Sequence, residues 1–129
     1  MLMQNFKSAD ELKISVAEQA ALIKVLGMLE RGELKHSRDS NVKGDFLFNM
    51  GTQGCGCGTP ACIGGWVAHL LGENQMAYVD KQMDNGPLND LYWGRMSDYI
   101  TVDQAATALR SFLTVGDPRW DLADTASRT

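Results

Sequence analysis

Residues 51–66 read GTQGCGCGTPACIGGW, and they hold all three cysteines of the chain together with a large share of its 13 glycines. The end of this stretch carries the signals of a helix start. Thr59 is a good N-cap residue, and Pro60 suits the first helical position because its missing N–H has no partner there. We therefore predict a helix over 60–71, with Gly72 as its stop. We expect this glycine- and cysteine-rich junction to organise the fold.

Two adjacent glycines, Gly64 and Gly65, lie inside the predicted helix. Each costs about 1 kcal/mol relative to alanine, a cost that a helix accepts where another helix or a ligand must approach its backbone. The apolar face of this helix is predicted to comprise Ile63, Trp66, Val67, Leu70 and Leu71. We expect Trp66, like Trp120, to pack in the core or at its rim.

Two capping-box patterns lie close together near the beginning of the chain, Ser8 with Glu11 and Ser15 with Glu18. They predict a helix over 9–31 that is bent or restarted near Ser15. Its apolar face is predicted to contain Leu22, Ile23, Leu26 and Leu29.

The last helix is the best defined, because Thr101 and Gln104 form a third capping box and Gly116 supplies a stop. Gly32 ends the first helix in the same way. Shorter helices are predicted within 74–83 and around 88–92. Residues 35–45 are polar and predict a loop, and 46–50 predict a short strand or extended segment without an obvious partner.

Together these patterns predict a mainly α-helical fold: one compact domain over 1–129 with about five or six helices and a frayed polar tail at 121–129. The composition is 44% hydrophobic and 22% charged, which is typical of a globular protein.

Charge and cysteine content exclude several classes of function. The net charge of −4 and the pI of about 5.0 disfavour general nucleic-acid binding, which needs a basic surface. The segment MLMQNFKSADELK lacks a signal-peptide apolar run, and no run is long enough to predict a membrane span. Three cysteines without a secretion signal indicate free thiols in a reducing, cytoplasmic setting.

A metal site is one interpretation of the cysteines, because Cys55, Cys57 and Cys62 supply three thiolates of the four ligands that zinc prefers. His69 is a poor fourth ligand. In a helix over 60–71 it would lie about 10.5 Å along the axis from Cys62, too far for one ion. His36, or another residue distant in sequence, would have to complete the site.

A reactive thiol is a second interpretation. A helix N-terminus lowers the pKa of a cysteine there, which would activate Cys62. A nucleophilic cysteine also needs an imidazole, and His36 is the only other histidine of the chain, so folding would have to bring it near. A disulfide from Cys62 to Cys57 or Cys55 on oxidation, and phosphate binding by the glycine-rich loop, are further alternatives. The interpretation we favour is that the cysteines are small, semi-buried packing residues in a tight junction.

The sequence resembles a group of small uncharacterised phage and bacterial proteins that share a C-G-T-x-x-C-I-x-G-W segment. The residues that carry the resemblance are Phe48-Asn49-Met50, Cys57 to Trp66, Ala105-Ala106, Leu109, Gly116 and Trp120. Gly64 stands where the group has alanine, and Cys55 lies outside the pattern. The resemblance implies that Cys57 and Cys62 act as a pair across the turn and that the setting is a phage or prophage, and it implies no enzymatic activity.

We therefore expect a non-enzymatic interaction or regulatory protein that acts through a protein surface and has no cofactor. Its candidate functional loop contains Cys57, Thr59, Cys62 and Trp66. The alternative is a thiol- or zinc-dependent protein centred on Cys55, Cys57 and Cys62, with His36 as a further candidate ligand.

Overall fold

A computed structural model describes residues 6–36, 47–48, 62–73, 77–78, 88–93 and 100–120. Of these residues, 68% are helical, so the predicted mainly α-helical fold class is confirmed. The described helices are α1 (Ala9–Leu12), α2 (Val16–Glu30), α3 (Ile63–Leu71), α4 (Asn89–Trp93) and α5 (Val102–Val115), and the strands are β1 (Lys35–His36) and β2 (Leu47–Phe48). The predicted tail and most of the helix predicted within 74–83 lie outside the described residues.

The first helical segment is divided in two, as predicted. The Ser8 hydroxyl accepts a hydrogen bond from the backbone N–H of Glu11 at 3.1 Å, while Ser15 accepts from Glu18 at 3.0 Å. In both boxes the glutamate carboxylate accepts the serine backbone N–H in return. Between the boxes Lys13 adopts a left-handed conformation with φ of 62°, which ends α1 and lets the chain restart as α2.

Glycines end the three longest of the described helices at the predicted positions. Gly32, Gly72 and Gly116 have φ values of 73°, 74° and 85°, in the left-handed region that glycine enters without steric cost. After α2 the N–H of Glu33 donates to the carbonyl of Met28 at 2.9 Å, the hydrogen bond of a Schellman motif. Each helix therefore ends one or two residues before its glycine.

The core lies around α2, which packs against both α3 and α5. Both tryptophans of the sequence prediction are buried, Trp66 with 4% and Trp120 with 6% of its surface exposed. The Trp120 indole N–H donates to the backbone carbonyl of Asp90 at 2.9 Å, so the chain after α5 is tied to α4. The side chains that are almost completely buried include Leu22, Val25, Phe48, Ile63, Leu88, Leu91, Tyr92, Leu109, Phe112 and Leu113.

The predicted loop over 35–45 is wrong at its beginning. Lys35 and His36 form β1, which pairs in parallel with β2 so that Lys35 lies opposite Leu47 and His36 opposite Phe48. The predicted extended segment is therefore present and has a partner. Phe48 is fully buried, so β2 carries a core residue into the pair.

Candidate functional site

Cys62 is the N-cap of α3, and the predicted helix start at Thr59-Pro60 is wrong. Cys62 has an extended backbone with φ of −82° and ψ of 176°, so the helix begins at the next residue. Its Sγ accepts a hydrogen bond from the backbone N–H of Gly65 at 3.3 Å, as a serine oxygen does in an ordinary N-cap. The thiol is thus occupied in starting the helix.

Burial sets the ionisation of Cys62. Its side chain is fully buried, and this desolvation raises the pKa of the thiol from 9.0 to about 11, although hydrogen bonds from the backbone of Gly65 and Gly64 act in the opposite direction. The lowered pKa expected from the helix N-terminus is therefore wrong, because burial outweighs the helix. At neutral pH the sulfur is a protonated thiol without access to solvent, which is unsuitable for a nucleophile.

Trp66 lies one turn along α3 from Cys62 and faces the core. Its ring meets the imidazole of His69 edge-on, with centroids 5.7 Å apart and planes at 83°. His69 is exposed while Cys62 is buried, so the two do not share a site. Trp66 is therefore a buried packing residue whose ring also contacts His69.

The remaining sequence candidates are not brought together in the described part of the chain. Cys55, Cys57 and Thr59 lie outside the described residues. His36 is half-buried on β1. Among the described residues, no group of three His, Cys, Asp or Glu side chains is placed to hold a metal ion.

A buried hydrogen-bond relay, which sequence patterns did not reveal, joins α2 to α4. The Tyr78 hydroxyl donates to the Glu18 carboxylate at 2.7 Å and lies 2.9 Å from the hydroxyl of Tyr92. Because a hydroxyl has one proton and Tyr78 gives its own to Glu18, Tyr92 must be the donor in the second bond. Glu18 also closes the capping box of α2 through its other oxygen, which accepts from Ser15.

Burial raises the pKa of Tyr92 well above its usual value, and burial likewise raises the pKa of Tyr78. Both phenols therefore stay protonated at neutral pH and act as hydrogen-bond donors rather than as bases. The residues of this relay lie 14 and 60 positions apart in the sequence, so no local pattern reveals it.

The outward side of α2 carries the most unusual surface of the described residues. Val16 has 75% and Ile23 has 36% of its surface exposed. On the same side of the helix, Ala20 lies between these two residues and Gly27 lies one turn after Ile23. We call these four residues the α2 stripe. The spacing of four, three and four residues places them in one line along the helix.

Ile23 was predicted to face the core with Leu22, and this prediction is wrong. Val25 is fully buried, and at 100° per residue a position two residues away points about 160° from it, so the helix that buries Val25 turns Ile23 toward solvent. Of the three large hydrophobic side chains exposed in the described part of the chain, two lie on the stripe, and the third is Val115 at the end of α5.

The outer side of α5 is a useful comparison within the same molecule. Polar side chains lie along its whole length, namely Asp103, Thr107, Arg110, Ser111 and Thr114. In α2 only Glu18, Lys24 and Glu30 are charged among 15 residues. A helix that is apolar on both sides is ordinarily covered on both, so the stripe is the strongest candidate for a binding surface.

Comparison with known protein families, curated protein sequences and solved structures finds no significant match. Within the described residues, no helix combines the length and the apolar character that crossing a membrane requires. The inference of function therefore rests on the residues of the chain itself.

Proposed function

We propose that the protein is a small, non-enzymatic interaction protein that binds a protein partner through the α2 stripe. The observation that supports this proposal is the exposure of Val16 and Ile23 on a helix whose opposite side already fills the core. Burial of these two side chains by a partner would remove apolar surface from water without disturbing the fold. The resemblance to phage and bacterial proteins adds a phage or prophage setting to the proposal.

The size of the stripe indicates weak binding. Burying a whole valine or isoleucine side chain contributes about 1.5–3 kcal/mol, and Ile23 already has much of its surface covered. Association costs about 4–15 kcal/mol in lost translational and rotational freedom. Two anchors together supply at most about 3–6 kcal/mol, which does not cover that cost. Neighbouring surface must therefore contribute, and the complex is expected to be transient.

The thiol- or zinc-dependent alternative has less support. It requires Cys62 as a thiolate that a substrate or metal can reach, whereas Cys62 is fully buried and its Sγ accepts the hydrogen bond that starts α3. Deprotonation would also work against the burial that raises the pKa of this thiol to about 11.

Site-specific photo-cross-linking tests the proposal. A benzoyl-phenylalanine is placed at Val16 on the stripe, and at Asp103 as a matched control, because Asp103 lies in the first turn of α5 and is exposed. In cells that express the chain, Val16 should give a discrete protein adduct that unlabelled wild-type chain competes away and the Ile23→Glu chain does not. Absence of an adduct, or equal adducts from both positions, would contradict the proposal.

A further inference from the structure

We propose that the partner at the α2 stripe is a second copy of this chain, packed with the two α2 helices antiparallel. This inference rests on the proposed function, since it names the occupant of the same surface. It follows from the order of large and small residues along the stripe and from the polarity of the helix, while the size of the surface limits the affinity.

Large and small residues alternate along the stripe. Val16 is followed by Ala20, Ile23 and Gly27, at intervals of four, three and four residues. Those intervals are the spacing of an a/d seam, in which side chains of one helix fit into gaps on a facing helix. A seam with small residues at every second position has gaps that accept the large residues of a partner.

An antiparallel pair matches every large residue with a small one. Val16 and Gly27 lie equally far from the midpoint between residues 21 and 22, and so do Ala20 and Ile23. A two-fold axis at that level therefore places Val16 against Gly27 of the second copy, and Ile23 against Ala20 of the second copy. Such an interface is isologous, since both copies use the same surface. A parallel pair in register would instead oppose Val16 to Val16, and Ala20 to Ala20.

Charge also favours the antiparallel arrangement. The positive N-terminal end of each α2 then lies near the negative C-terminal end of the other, whereas a parallel pair brings like ends together. Lys24 is the one charged residue beside the middle of the stripe. The Arg31 guanidinium lies over Gly27, within 2.7 Å of where a Cβ would stand, and has to rotate away. The Arg31 side chain is 62% exposed and its guanidinium pairs with the Glu33 carboxylate, so the rotation breaks an exposed ion pair, and surface pairs of this kind contribute little to stability.

The length of the stripe limits the affinity. From Val16 to Gly27 it extends about 17 Å along the helix. A single line of side chains over that length buries less area than the ~800 Å² per partner of a stable interface. We therefore expect a reversible dimer with a dissociation constant in roughly the micromolar to millimolar range.

Exchange of one large and one small residue tests the register. Sedimentation equilibrium is measured from micromolar to millimolar concentration on the wild-type chain, on Ala20→Ile, on Ile23→Ala and on the chain with both substitutions. Ala20→Ile opposes two isoleucines and Ile23→Ala opposes two alanines, so each is expected to weaken the dimer about tenfold, a loss of about 1.4 kcal/mol. The double variant again places isoleucine against alanine and is expected to recover wild-type affinity.

General hydrophobic adhesion makes the opposite prediction, because Ala20→Ile would then associate more strongly than the wild-type chain. A chain that stays monomeric at all concentrations, a stronger Ala20→Ile dimer, or a double variant that does not recover would each overturn the second-copy inference. Circular dichroism melting serves as the folding control, since both positions are exposed.

The photo-cross-link from Val16 separates failure of this inference from failure of the proposed function. A monomeric chain that still gives a competed adduct with a different protein loses only the second copy as its partner. A monomeric chain without any adduct loses both.

Discussion

At the residue scale, Cys62 is subject to two opposing effects. Backbone N–H groups of Gly64 and Gly65 favour the thiolate, while complete burial favours the thiol. Burial dominates and raises the pKa to about 11. The cysteine that sequence spacing offered as a nucleophile therefore contributes to helix initiation and core packing instead.

A pH dependence of stability follows from this shift. The folded-state pKa of Cys62 lies above the ordinary value of 9.0, so its stabilising contribution is complete below that pH and is lost as pH rises toward 11. A shift of this size corresponds to about 2–3 kcal/mol. We expect the free energy of unfolding of wild type, measured by urea titration, to fall more steeply over this pH range than that of Cys62→Ser, which keeps an N-cap oxygen but does not titrate. Parallel pH profiles would refute the assignment.

Replacement of Glu18 by glutamine is expected to destabilise the protein because of the tyrosine relay. Glutamine suits the capping box, as Gln104 shows in α5, but its amide group would have to donate toward Tyr78. Tyr78 would then donate to Tyr92, and the buried proton of Tyr92 would lack an acceptor. We expect Glu18→Gln to lower the free energy of unfolding by about 1–3 kcal/mol.

The reciprocal exchange is the control for this prediction. Gln104→Glu alters a capping box in which the described contacts include no tyrosine, and it is expected to change the free energy of unfolding by less than about 0.5 kcal/mol. Urea unfolding of both variants gives the comparison. Equal effects at the two boxes would show that the relay contributes nothing beyond capping.

At the element scale, helix ends follow local rules that act within four residues. The three capping boxes at Ser8, Ser15 and Thr101 and the glycine stops at Gly72 and Gly116 could be read from the sequence because each depends on one residue reaching the backbone beside it.

Replacing Gly27 and Gly72 by alanine should change the free energy of unfolding in opposite directions. Gly27 lies inside α2, and a Cβ there meets only the end of the flexible Arg31 side chain, so Gly27→Ala is expected to raise the free energy of unfolding by about 0.5–1 kcal/mol. Gly72 has a φ of 74° with open space around it, so Gly72→Ala is expected to lower it by about 1–2 kcal/mol through backbone strain alone. Chemical denaturation measures both, and shifts of the same sign would contradict the assignments.

Other features of the elements were beyond sequence reasoning for identifiable reasons. The start of α3 depends on whether Thr59 or Cys62 reaches a free backbone N–H, and both residue types are able to do so. The side on which Ile23 lies depends on a rotation of one residue about the helix axis, which apolar spacing does not fix in a helix that carries apolar residues on both sides. The relay between Tyr78 and Tyr92 is a tertiary contact without a local signal.

At the scale of the whole molecule, α2 has two roles. Its inner side holds α3 and α5 together around the core, and its outer side presents the stripe. A substitution on the outer side should therefore separate binding from folding. The same substitution on the inner side would damage both, because a cavity or buried charge in the core costs several kcal/mol.

The yield of photo-cross-links from Val16 in a chain that also carries Ile23→Glu tests the central claim most directly. Ile23 belongs to the α2 stripe and lies two helical turns from Val16, so the Ile23→Glu substitution does not alter the cross-linker itself. If the α2 stripe is a binding surface, the charge should reduce the yield to that of the Asp103 control while the melting curve stays that of a folded chain. An undiminished yield from a folded Ile23→Glu chain would show that partners do not bind through the stripe.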